Sequence, residues 1–92
     1  MKQNKQNQNN EIILIWREKC SNIWISSYQP KNEDPFYFKI ALSGVTSNPW
    51  FTVMIHKGDN LVSRQDEKSL EQAKKACTNF LKHMHYRNNI WS

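Results

Sequence analysis

The amino-acid sequence predicts an α+β fold, an antiparallel sheet of four or five strands followed by one C-terminal helix packed on one face. Three observations carry the prediction. FYFKIALS at 36–43 and WFTVMIH at 50–56 alternate apolar with polar residues, the period of a half-buried strand. Short links rich in Pro, Gly, Asn and Asp separate the extended runs, as turns do. After Ser69 the apolar residues change to three- and four-residue steps, the period of an amphipathic helix.

The chain opens with MKQNKQNQNN, which holds only Asn, Gln and Lys after the first Met. Such a stretch buries too little apolar surface to offset the entropy of ordering it. Residues 1–10 are therefore predicted to be a disordered tail, and residues 11–92 a single domain. EIILIWR at 11–17 and NIWISSY at 22–28 are rich in β-branched and apolar residues and read as two strands, joined by a hairpin at KCS. QPKNEDP, with its two prolines and its charges, is a connection that cannot lie inside a sheet.

In the next strand Phe36, Phe38, Ile40 and Leu42 share one face, and Tyr37, Lys39, Ala41 and Ser43 the other. After the loop GVTSNP, Phe51, Val53 and Ile55 oppose Trp50, Thr52, Met54 and His56, and a KGDN turn leads to a short strand at 61–64. Ser69 is placed to cap a helix, with Gln72 three residues on to complete a capping box. Leu70, Ala73, Cys77, Phe80, Leu81 and Met84 then form the apolar stripe of a helix predicted over about 70–86. The predicted core is Phe38, Ile40, Val53, Ile55, Leu70, Phe80 and Leu81.

The net charge of +5 is unevenly distributed. Residues 11–68 hold seven basic and seven acidic side chains. The excess lies in the tail, with Lys2 and Lys5, and in the helix region, with Lys74, Lys75, Lys82 and Arg87 against Glu71. A basic tail and a basic helix suit an acidic partner, nucleic acid included, and they also serve solubility. Glu71 near the helix start and Lys82, His83, His85 and Arg87 toward its end complement the helix dipole as well.

Catalysis is not expected. Glu33 and Asp34 lie in a Pro-flanked loop without a nucleophile or base beside them, and Gly44 and Gly58 make no phosphate-binding loop. No cofactor or metal is expected either. Cys20 and Cys77 have neither disulfide-framework nor metal-ligand spacing, and His83 and His85 leave a helix on different sides. IILIW is too short for a signal-peptide core, and no run reaches the roughly 18 apolar residues of a membrane span. The sequence reads as cytoplasmic, with no membrane partner.

One helix covers one face of a sheet, which leaves the other face to explain. If Phe38 and Val53 meet the helix, the outer face carries Tyr37, Lys39, Trp50, Met54 and His56, with Trp24 and Tyr28 as candidates from the second strand. The register of the first two strands is open, because IILI is apolar on both faces. Aromatic rings beside basic groups suit a protein interface, a second copy of this chain included. They also suit unpaired bases, which stack on rings while Lys or His meets phosphate. Partial cover by Ile90 and Trp91 is a third reading. Lys74, Lys75 and Lys82 complete the candidate binding residues.

The segment from Tyr37 to Leu81, with YFKIALS, WFTVMIHKGDNLVSR and SLEQAKKACTNFL, resembles a pattern of small phage and prophage proteins. In these, aromatic-marked strands lead into a helix that begins S-L-E-x-A-K. The layout is also similar to the DNA-binding arm of some transposon and phage integrases and to plant ethylene-response DNA-binding domains, whose sheets enter the major groove. Those sheets carry several arginines, whereas this one offers Lys39, with Arg17 and Arg64 as further candidates. The resemblance implies a phage or mobile-element protein that binds a host protein or nucleoprotein complex without chemistry, as anti-CRISPR inhibitors of defence complexes do. A small nucleic-acid-binding domain, using the aromatic sheet face or the basic helix, is the alternative.

Overall fold

The computed structural model describes residues 12–91, which form one five-stranded antiparallel sheet and one helix. The strands are β1 (Arg17–Cys20), β2 (Ile23–Tyr28), β3 (Phe36–Val45), β4 (Asn48–Lys57) and β5 (Asn60–Glu67), and they pair in chain order. The helix, α1 (Leu70–Trp91), follows. The predicted tail at 1–10 lies outside the described residues, and so do the side chains of Ile90 and Trp91.

Opposite residues in an antiparallel pair share a face, so the register assigns the paired strand side chains. Phe38 faces Ile55 across β3–β4 and Ile40 faces Val53, and these four are almost fully buried. They meet Ala73, Cys77 and Leu81 of α1 together with Phe36, which completes the buried cluster. Leu70 and Phe80, expected in the core, pack against its margin, with Phe80 edge-on to Phe36 at 5.8 Å between ring centroids. Ser69 Oγ accepts the backbone N–H of Gln72 at 3.1 Å, the cap expected at the helix start.

The helix packs on β3, β4 and β5. The remaining part of the inner face is closed by Ile12, Leu14 and Trp16, with Trp24 and Tyr28 from β2. Trp16 lies 6.4 Å from Phe38, and Trp24 lies 6.0 Å from Phe51. Among the described residues one helix covers part of this face, and large aromatics supply apolar area that it does not.

Several boundaries differ from those expected. The first strand is not 11–17 but Arg17–Cys20, so Lys19 and Cys20 are strand residues and the turn is Ser21–Asn22, with Asn22 at φ 67°. The loop expected at 44–49 contracts to the two-residue turn Thr46–Ser47, with Gly44 opposite Pro49 inside the ladder. Pro49 is tolerated there because β5 pairing ends at Phe51, which leaves the N–H side of Pro49 without a neighbour strand. The last strand runs on to Glu67, an edge strand whose charged residues discourage pairing with another chain. The helix continues to Trp91, five residues past Tyr86, since nothing in RNNIW is a Gly or Pro that would stop it.

Candidate functional site

The outer face of the sheet is built in transverse rows. One row runs across all five strands: Arg17 faces Ile25, Ile25 faces Lys39, Lys39 faces Met54 and Met54 faces Arg64. Strands lie about 4.8 Å apart, so successive cations stand roughly 10 Å apart at the backbone. The neighbouring row joins Ser27, Tyr37, His56 and Leu61. On the other side of the cations the row is Ile23, Ala41, Thr52 and Asp66. The carboxylate of Asp66 is engaged, since Thr52 Oγ1 donates to its Oδ1 at 3.0 Å while Ser43 Oγ lies 3.3 Å from the same hydroxyl. The outer rows therefore carry a cationic line with one carboxylate, Asp66, in the adjoining row.

Beside the β1 end of this line lies a groove of about 670 Å³. Ile13, Ile15 and Ile25 supply its aliphatic lining, Tyr37 a phenol ring from the outer face, and Arg17, Lys39 and His56 its polar rim. The wall made by residues 12–16 has a simple local cause. IILIW is apolar on both sides, and in extended backbone Ile12, Leu14 and Trp16 turn to the core while Ile13 and Ile15 turn away. Ile13 and Ile15 are 71% and 75% exposed, the largest values among the exposed large hydrophobic residues described.

The sequence-predicted residues separate into three groups. Tyr37, Lys39 and His56 come together at the groove, with Met54 next to Lys39. Trp50 shares their face but stands opposite Ser43, at the far end of the β3–β4 hairpin. Lys74, Lys75 and Lys82 belong to the helix, on the covered side of the sheet, and are not part of this surface. Two residues are misassigned by the sequence. Trp24 faces Ile40 and Tyr28 faces Phe36, so both belong to the inner, core-packed face. The outer positions of β2 are Ile23, Ile25 and Ser27.

Ile13, Ile15 and Ile25 are the residues that sequence reasoning missed. Their signal was present as apolarity on both sides of IILIW and IWI, but it named no face without the register. Arg17 and Arg64, taken only as further candidates, align with Lys39.

A second, polar concavity lies between β5 and α1, lined by Gln65, Glu67, Gln72, Lys75, Asn79 and His83 among others. Both cysteines are free, Cys20 exposed and Cys77 buried. Burial pushes the Cys77 thiol up to about 12, with the charge of Glu67 as a smaller cause, so it packs as a small apolar residue. Among the described residues no group of three or more His, Cys, Asp and Glu side chains is placed to hold a metal. Among them, too, no helix is long and apolar enough to cross a membrane. Comparison with protein-family models, curated proteins and solved structures finds no significant match.

Proposed function

We propose that the protein is a non-catalytic binding module whose contact surface is the outer face of the sheet. Its partner is the surface of another protein, alone or within a nucleoprotein complex, that presents acidic groups around apolar ones. The observation that supports this reading is the apolar surface of Ile13, Ile15 and Tyr37 beside the aligned cations Arg17, Lys39 and Arg64. Exposed aliphatic and aromatic area of this kind costs solubility and marks contact sites, while the surrounding charges select the partner and speed its approach. With the resemblance of residues 37–81 to small phage proteins, the reading extends to a mobile-element protein that acts by occupying a surface on a host complex, the manner of anti-CRISPR inhibitors.

The experiment is affinity capture from an extract of the source cell, with and without nuclease. It uses the wild type, a Tyr37→Ala/Lys39→Ala variant and a Lys74→Glu/Lys75→Glu/Lys82→Glu variant, all shown to be folded by circular dichroism. The expected outcome is capture that survives nuclease, is lost in the sheet variant and persists in the helix variant. Loss in the helix variant alone identifies the wrong face.

A second reading is favoured by the spacing of the cationic row. Arg17, Lys39 and Arg64 could follow the phosphates of an unpaired nucleic-acid strand, with Tyr37 as a stacking ring. Three neutralised phosphates on a single strand give a slope of about −2 in log affinity against log salt. A protein interface depends much less on salt.

A further inference from the structure

We infer that the groove between residues 12–16 and the β2–β3 outer face is an anchor site for an extended, acidic peptide segment. The inference rests on the binding-module reading above and names the kind of segment that the partner contributes. The two sides of the groove repeat one pattern. Ile15 and Arg17 are two positions apart on one wall, and both line the groove. Tyr37 and Lys39 are two positions apart on β3 and share its outer face. Each pair sets an apolar group beside a cation at the spacing of an extended chain, about 7 Å. The complement is an extended segment with an apolar side chain and a carboxylate two positions apart, the first seated between Ile15, Ile25 and Tyr37, the second held by Arg17 and Lys39.

The backbone around the groove suits an extended occupant. Pairing of β1 with β2 ends at Arg17 opposite Ile25. Beyond it residues 12–16 make no backbone-to-backbone hydrogen bond to other described residues, and Ile15 accepts instead from Ser26 Oγ at 2.7 Å. That bond joins the wall to β2, and the groove runs between the wall and the outer face of β2 and β3, where an extended segment can lie along it.

Charge selects the occupant. A second copy of this face would set the Arg17–Lys39–Arg64 row against its own image, three cations with a single carboxylate, Asp66, in the adjoining rows. The beginning of this chain is excluded as well, since residues 1–10 hold Lys2 and Lys5 and no carboxylate. Nucleic acid matches the cations but not the lining, in which three isoleucines accompany a single outward-facing ring, whereas unpaired bases stack on successive aromatics.

The test titrates the whole 15N-labelled protein with three probes and follows its amide signals. The first is a capped Ser-based peptide carrying Leu and Glu at alternate positions in a repeating Leu-Ser-Glu-Ser order. The second has the same composition with Leu and Glu adjacent, which puts them on opposite sides of an extended chain. The third is an oligothymidylate of about twelve nucleotides. The expected result is that the first peptide moves the signals of Ile15, Ile25, Tyr37 and Lys39 and binds at least about fivefold more tightly than the second. Its affinity should fall by about fivefold or more in Lys39→Glu and in Ile15→Ser, and stay unchanged in Lys75→Glu. Lys39→Gln is the milder variant should Lys39→Glu perturb the fold. Equal binding of the two peptides, shifts confined to the helix, or no binding at millimolar concentration overturns the inference. Oligothymidylate in the groove without the peptide also overturns it. If ligand shifts fall on Met54, Arg64 and Trp50 instead, the groove assignment fails while the outer-face reading stands. If no probe moves any outer-face signal and extract capture also persists in the sheet variant, both fail.

Discussion

Gly44 lies beneath the indole of Trp50: a Cβ added to Gly44 would sit 2.7 Å from Cε3 and Cζ3 of that ring and 2.7 Å from the carbonyl oxygen of Asn48. The ring thus covers a glycine inside the ladder, where a side chain would otherwise shield the backbone. Gly44 also holds φ +86°, which an L side chain rarely adopts. Gly44→Ala is expected to cost about 1–3 kcal/mol, read as a lower midpoint in urea denaturation. Trp50 therefore has a structural occupation, and Trp50→Ala should lower stability as well, unlike the same change at exposed Tyr37.

Thr52 is the buried polar residue of the outer face, and its hydroxyl has two partners. Its single proton goes to Asp66, so Ser43 is the donor to Thr52. Thr52→Val keeps the shape and removes both bonds. We expect a loss of about 1–2 kcal/mol by chemical denaturation, and a smaller loss when Asp66→Asn is already present.

The central hairpin was legible because one side of β3 and β4 faces the core, which writes alternation into Phe36–Leu42 and, with Met54 as an exception, into Phe51–Ile55. The helix was legible from its cap and stripe, except for its end, where the stripe stops at Met84 but no breaker follows. Edges carried weaker signals. The second half of β5, RQDE, is polar on both faces because an edge strand tolerates charge on both. The face of Trp24 and Tyr28 depended on how residues 29–35 set the register of β2 on β3, and IWISSY has no alternation of its own to reveal it. At the site, Tyr37, Lys39 and His56 followed from alternation alone. The isoleucine wall did not, because one side of IILIW serves the core and the other the groove.

Cys77 makes the stability depend on alkaline pH. Its folded-state value is raised from 9.0 to about 12, so the fold favours the protonated thiol. That contribution is complete below pH 9 and is lost as pH rises from 9 toward 12, at up to about 1.4 kcal/mol per pH unit. Thermal melts of wild type and Cys77→Ala between pH 8 and 11 should converge as the pH rises. In the native protein a thiol reagent should modify exposed Cys20 and spare Cys77.

The N-terminal segment gives the sharpest boundary between dispensable and structural chain. Residues 1–10 contain no large apolar side chain after Met1, so composition predicts that their removal leaves the melting temperature nearly unchanged. Cutting six residues further in removes Ile12, Leu14 and Trp16, which pack on the core, and exposes the side of Phe38 that faces Trp16. Trp16→Ala alone is expected to cost about 2 kcal/mol or more, since the ring closes a part of the inner face that the helix does not reach. Ile13→Ser and Ile15→Ser change the same segment on its exposed side, and each should stay within about 0.5 kcal/mol of wild type. Denaturation of this series separates the two sides of one segment. If the two exposed isoleucines prove as costly to replace as Trp16, then Ile13 and Ile15 serve the stability of the fold, and the groove that they wall is not a free surface.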